Sequence, residues 1–138
     1  MRYLGVDYGD VRTGLALSDP SGLLASGIGY LKESGMRHTA IKVAEEARAR
    51  GAQSIVVGYP KNMDGSSGFR VEHTMRFKEL LEELLPGVEI VLYDERMTTL
   101  AAAQYMNITD VRGKKRKQTV DAVAAVIILE DYLRFLNK

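Results

Sequence analysis

The sequence predicts an α/β fold: a mixed five-stranded sheet flanked by helices. Three observations carry this. The first thirty or so residues hold short β-like runs joined by turn signals. Beyond them, strand-like and helix-like segments alternate. Two of the later strands, "SIVVG" (54–58) and "EIVLY" (89–93), are almost continuously apolar, as strands covered by helices are.

Taken in order, residues 2–8 and 12–18 are β-like runs separated by Gly9-Asp10, a tight-turn signal that reads as a hairpin. Residues 23–31, "LLASGIGYL", complete a three-stranded meander, softened by two glycines. The period then changes. Met36, Ala40, Val43, Ala44 and Ala47 recur at helical spacing over 36–50, and Gly51 supplies a stop. The strand at 54–58 runs into a glycine-rich loop, "YPKNMDGSSG". A helix over 70–85 turns Phe77, Leu80, Leu81, Leu84 and Leu85 inward and closes at Pro86-Gly87. After the strand at 89–93 come "DER", a helix from about 98 to 106, a basic loop "TDVRGKKRKQ" and a last helix from about 119 to 136. The order is β-β-β-α-β-α-β-α-α. With no internal repeat, linker or low-complexity tract, residues 1–138 read as a single domain.

Composition narrows the function classes. The chain is 46% hydrophobic and 27% charged, ordinary for a soluble globular protein. A net charge of +1 means that any nucleic-acid signal must come from local clustering. The absence of cysteine excludes disulfides and thiolate zinc sites and fits a reducing compartment. His38 and His73 lack the spacing of a metal pair. Without a signal-like segment or a long apolar span, the expectation is a cytoplasmic protein with no membrane partner.

Carboxylates stand at the ends of three elements. Asp7 follows Leu4-Gly5-Val6, Asp94 and Glu95 follow the last strand, and Asp121 opens the last helix. Functional residues of such sheets gather beyond the carboxyl ends of the strands. Were the first and last strands neighbours, Asp7 and Glu95 would meet at that edge. In "VDAVAAVIILEDYL" the helical rule puts Asp121, Ala124, Ala125 and Ile128 on one face, and alanines there allow close approach to the sheet. Converging carboxylates repel one another unless a cation binds. All-oxygen ligation favours Mg²⁺ or Mn²⁺, the apparatus of phosphodiester hydrolysis. Each acid also has a plainer reading: Asp7 as a turn residue, Asp94 and Glu95 as surface residues paired with Arg96, Asp121 as a first-turn acid favoured by the helix dipole. Strand alternation allows only one of Asp94 and Glu95 to share a face with Asp7, and the pattern leaves open which.

These segments resemble a known family. "GVDYG", the R-x-G-x-A-x-S-D run that follows it, "VGYPKNMDGSSG", "DERMTT" and "KKRKQTVDAVAAVIIL" together are similar to the YqgF/RuvX family along essentially the whole chain. The resemblance implies an RNase H-like nuclease fold related to Holliday-junction resolvases of the RuvC type. It implies a role in trimming the precursor of small-subunit (16S) ribosomal RNA during ribosome biogenesis, and cleavage leaving 5′-phosphate and 3′-hydroxyl ends. Carried onto this sequence, the family's acids fall on Asp7, Glu95 and Asp121, which favours Glu95 over Asp94 as the metal ligand. Two positions depart from the pattern: Asp10 adds a negative charge near the implied metal site, and Tyr59 stands where leucine is usual.

Other motifs fit nucleic-acid binding. In "PKNMDGSSGFR", Asn62, Ser66 and Ser67 can hydrogen-bond phosphate oxygens, while Lys61 and Arg70 add charge. "RGKKRK", with Arg112, Lys114, Lys115, Arg116 and Lys117, puts five positive charges in six positions just before the helix carrying Asp121. Contacts of this kind give salt-sensitive affinity with little sequence preference. Arg12 and Arg96 either position phosphate or brace Asp7 and Glu95. The leading expectation is a metal-dependent nuclease acting on structured RNA, as a monomer or homodimer. Alternatives are a resolvase of branched DNA, which needs a two-fold dimer, and a non-catalytic adaptor in ribosome assembly or transcription working through its basic loop. "VDYGDVRTG" also resembles the phosphate-binding hairpin of actin-like and sugar-kinase ATPases, which need two such domains.

Overall fold

A computed structural model describes residues 1–9, 11–32, 35–59, 69–94 and 113–137; at Tyr59, Phe69, Arg70 and 113–121 the description is of the backbone alone. The elements are β1 (Tyr3–Asp7), β2 (Thr13–Ser18), β3 (Ala25–Leu31), α1 (Met36–Arg50), β4 (Ser54–Tyr59), α2 (Phe69–Leu84), β5 (Glu89–Asp94) and α3 (Gly113–Leu136). The helix expected at 98 to 106 lies outside the described residues.

The five strands form one mixed sheet in the order β3-β2-β1-β4-β5. β1 pairs antiparallel with β2 and parallel with β4, β2 pairs antiparallel with β3, and β4 pairs parallel with β5. The first and last strands are therefore not neighbours, because β4 lies between them. Strands β1, β4 and β5 nevertheless end at the same sheet edge, where crossover helices begin.

Strand alternation divides the core into two layers. Leu4, Val6, Leu15, Ile55, Val57 and Ile90 point to α1 and α2, meeting Ala40, Val43, Ala44, Ala47, Phe77 and Leu81. Ala16 and Val56 point the other way, to Ala125, Val126, Ile128, Leu129 and Leu133 of α3. The α1 stop is as expected: Gly51 takes a left-handed φ of 71°, and the Ala52 N–H donates to the Ala47 carbonyl at 2.9 Å.

A row of small residues crosses the sheet beneath α3. Gly5 pairs with Ala16, and Ala16 with Gly27. A Cβ on Gly5 would lie 2.9 Å from the Leu129 Cβ, and one on Gly27 would lie 3.0 Å from the Ala122 Cβ. The glycine of β3 that softened its sequence pattern is thus what lets the helix sit down. The second one, Gly29, with φ at 112°, falls at a bulge where Leu15 and Ala16 face Gly29 and Gly27 and Ile28 is the extra residue.

Two details of α3 correct the sequence reading. The helix begins at Gly113 rather than near 119, so Lys114–Lys117 are helical instead of a loop; lysine and arginine are good helix formers despite their charge. Its seating face keeps Ala125 and Ile128 of the expected face and adds Ala122, Val126, Leu129 and Leu133, while Ala124 is only half-buried. No helix among the described residues is long and apolar enough to cross a membrane.

Candidate nuclease site

Asp7 is the last ladder residue of the central strand, half-buried and paired in register with Gly14. By alternation it shares a face with Tyr3 and Gly5, the face on which α3 lies. The turn that follows is tightly built. A Cβ on Gly9 would lie 2.4 Å from the Arg12 carbonyl oxygen, so only glycine fits. Thr13, 1% exposed, closes the turn by donating to the Gly9 carbonyl at 3.5 Å. Tyr8, pointing to the other face, stacks on Phe77 of α2 with ring centroids 4.3 Å apart and so ties the strand end to that helix.

The alternation of β5 places one of the two acids that the sequence left in competition, Asp94. Ile90 and Leu92 pack in the α1/α2 layer, whereas Tyr93 meets Tyr132 of α3 at 5.9 Å between centroids. Asp94 follows the parity of Leu92 and pairs with Tyr59, so it lies on the face opposite Asp7. Burial, with the charge of Asp131 as the lesser cause, raises the pKa of Tyr93; burial and Glu89 do the same for Tyr132.

α3 runs antiparallel to β1. Ala125 and Leu129 lie over Gly5, and Tyr132, further along the helix, meets Tyr3 with ring centroids 6.2 Å apart. Position 121 is one turn before Ala125, on the flank it shares with Ile128 and Tyr132, and more than two turns inside the helix. It is thus no first-turn acid, and the dipole, which acts within the first turn, offers it little.

The remaining expected residues divide by where they fall. Asp10, Lys61, Asn62, Ser66, Ser67, Glu95, Arg96 and Arg112 lie outside the described residues. Arg70 is in α2, and Lys114, Lys115, Arg116, Lys117 and Asp121 are in α3, with only their backbone described. Arg12 stands over the ring of Tyr30, its Cζ 5.4 Å from the centroid. Tyr30 was not among the residues the sequence singled out. Register brings it in: Asp7 pairs with Gly14, and Gly14 with Tyr30, so all three share one row. The signal for it was the Gly-x-Gly of β3, whose bulge fixes which side chains reach that face.

Comparison with solved structures identifies the fold. The fold superposes on T. thermophilus RuvC in complex with a Holliday junction substrate with a TM-score of 0.62, at 16% identity, covering 98% of this chain and 96% of that one. The Fowlpox virus resolvase, in complex with Holliday junction DNA, matches with a TM-score of 0.62 at 15% identity, covering 100% of both chains. The architecture is the RNase H-like fold that these two proteins share. The profile of RuvX, described as Holliday junction resolvase, matches residues 1–135, and the chain belongs to this family. A relative from Acetivibrio thermocellus, named "Putative pre-16S rRNA nuclease", is 40% identical over 96% of this chain and 95% of its own. One of the same name from Bacillus licheniformis is 43% identical over 99% of each.

Proposed function

We propose that the protein is a divalent-metal-dependent nuclease that hydrolyses phosphodiester bonds of structured RNA, trimming the 5′ end of the precursor of 16S rRNA. Asp7, Glu95 and Asp121 are the residues assigned to hold the metal. The observation that carries the reading is the antiparallel seating of α3 on β1. From Ala125 back to Asp121 the helix rises about 6 Å, and from Gly5 on to Asp7 the strand advances about 6.6 Å. The two acid positions thus come to similar heights beyond a shared contact. Asp94, on the opposite face, leaves Glu95 as the acid of "DER" for this role. The names of the relatives support the substrate.

An all-carboxylate donor set fits a hard, oxygen-seeking cation, Mg²⁺ or Mn²⁺. When bound, such an ion supplies an activated water and stabilises the leaving oxygen. The chain's own part is placement. Asp7 is held on the most enclosed strand by the Gly9 turn and the Tyr8–Phe77 stack. Lys114, Lys115, Arg116 and Lys117, on the turns of α3 before Asp121, would engage flanking phosphates.

The test is cleavage of a precursor rRNA 5′ leader beside a four-way DNA junction, by wild type and Asp7→Asn, with Mg²⁺, Mn²⁺ or EDTA. Metal-dependent cutting of the RNA, lost in the variant, is the expected result. Cutting of the junction alone would replace this reading with the resolvase one, which the family description and the junction-bound neighbours favour and which requires a two-fold dimer. Binding without cutting under every metal would sink both and leave an adaptor.

A further inference from the structure

We propose that the end of the sheet remote from Asp7 carries a self-association surface, through which two copies of this chain pair about a two-fold axis. Eight large hydrophobic side chains are exposed among the described residues, and five of them belong to segments that meet at that end: Met1, Leu23, Leu24, Phe135 and Leu136. Met1 leads into β1, Leu23 and Leu24 lie in the turn between β2 and β3, and Phe135 and Leu136 stand in the last turn of α3. Contacts join the three segments. The Met1 nitrogen donates to the Pro20 carbonyl at 3.1 Å, and a Cβ on Gly22 would lie 3.1 Å from the Met1 carbonyl oxygen. The Asn137 side-chain amide donates to the Gly22 carbonyl at 3.5 Å and to the Leu133 carbonyl at 2.7 Å. The turn presents its leucines on a fixed backbone. The Asp19 carboxylate accepts from the Leu23 and Leu24 N–H groups, each at 2.9 Å, and from the Ser21 hydroxyl, while the Asp19 N–H donates to the Leu24 carbonyl at 2.9 Å. On that frame Leu23 is 60% and Leu24 71% exposed. A surface ordered beforehand loses little freedom on pairing. These polar groups already have partners within the chain, so covering them strands none.

Three features make a second copy the occupant. Five such side chains expose on the order of 500 Å² of apolar surface, the upper end of what a monomer shows in one patch. With a polar rim this approaches the roughly 800 Å² per partner of a standard interface, at about the 65% apolar share of homodimers. The rim carries one charge of each sign: Asp19, and Arg2, whose Nε donates to the carbonyl of the preceding Ser18 at 3.2 Å. A two-fold contact sets each charge against the other's counterpart, so the surface is complementary to itself. A net charge of +1 gives two copies no long-range repulsion to overcome. Paired in this way, the copies turn their Asp7 ends away from each other.

The experiment is sedimentation velocity of the full chain for wild type, Leu24→Glu, Phe135→Glu and Ile41→Glu, with a thermal melt of each at low concentration. Wild type should pass from monomer to dimer between about 1 and 300 µM, the affinity expected of an interface at the small end of the standard range. Leu24→Glu on the turn and Phe135→Glu on the helix should each raise the dissociation constant at least about a hundredfold, because a two-fold contact meets every lost apolar side chain twice. Ile41→Glu, an equally drastic change of an exposed side chain in the first half of α1, should dimerise as wild type. A wild type that stays monomeric to the top of the range overturns the proposal and leaves the patch to a partner of other chemistry. Dimerisation that survives Leu24→Glu or Phe135→Glu overturns it as well, as does loss of the dimer in Ile41→Glu, since each places the contact on another face. Should one of the two patch variants melt early, the other decides, because they stand on different elements.

Discussion

Gly5→Ala is the sharpest test of how α3 is seated. The added Cβ would lie 2.9 Å from the Leu129 Cβ and 3.0 Å from the Ala125 carbonyl oxygen. Carbon–carbon contacts are comfortable at about 3.5 to 4.0 Å, so helix and strand must part by roughly half an ångström or more. Neither neighbour is the free end of a flexible side chain that could swing aside. Overpacking of this kind costs about 1 to 3 kcal/mol. With an unfolding entropy of about 2.1 cal/mol/K per residue, a chain of 138 residues has about 0.29 kcal/mol/K, so the midpoint should fall by roughly 3 to 10 °C. Differential scanning calorimetry reads this directly. On the proposed assignment of Asp7 and Asp121 to one site, the same displacement separates the two positions, and kcat at a temperature well below the midpoint should fall more than KM changes. A variant that melts like wild type would refute the close seating. One that melts early yet cuts at full rate would refute the link between seating and site.

Phe77→Ala removes a fully buried ring and the stacking partner of Tyr8, and should cost about 3 to 5 kcal/mol, read as a shift of the urea midpoint. Asp19 accepts hydrogen bonds from the Leu23 and Leu24 N–H groups, each at 2.9 Å, and from the Ser21 hydroxyl. These hold its carboxyl far below the usual 3.8. A depressed folded-state pKa stabilises above the unfolded value and fades as the pH falls below it. The midpoint difference between wild type and Asp19→Asn should therefore be full near neutrality and shrink below about pH 4, the ordinary carboxylate range; a constant difference would refute the assignment. Replacing Lys114, Lys115, Arg116 and Lys117 by glutamine should flatten the salt dependence of RNA binding by up to about 3 slope units, at about 0.7 to 0.9 per lost phosphate contact.

The sequence was most informative where burial is two-sided or periodic. The apolar runs of β4 and β5 and the alanine and valine spacing of α1 announced their elements, because each side chain there has one neighbour type to satisfy. Strand order was not legible: pairing is non-local, and nothing in "SIVVG" tells that it slots between β1 and β5. The seating of α3 was only partly legible for a related reason: Ala125 and Ile128 pack against the sheet as expected, Ala124 does not. "VDAVAAVIIL" is apolar nearly all round, and Val123 and Ile127 are buried as well as the sheet-facing residues, so its periodicity does not choose a face. The start of α3 was hidden because a charge run has the same composition in a loop as on a solvated helix. Of the candidate site, the sequence offered Asp7 as a carboxylate ending an apolar strand. That Asp94 lies on the face opposite Asp7 needed the parity of Tyr93 and Leu92, which only a packed neighbour can fix.

The strand order also sets a gradient of rigidity through the site. Asp7 belongs to a strand with partners on both sides, while β5 borders the sheet of described residues. Amide hydrogens of β1 should be among the last to exchange with solvent, and those of β5 should exchange sooner through local opening. A ligand that draws acids from both strands would tie a fast-exchanging border to a slow-exchanging centre. The protection gained on adding Mn²⁺ should then be concentrated in β5 and hardly visible in β1.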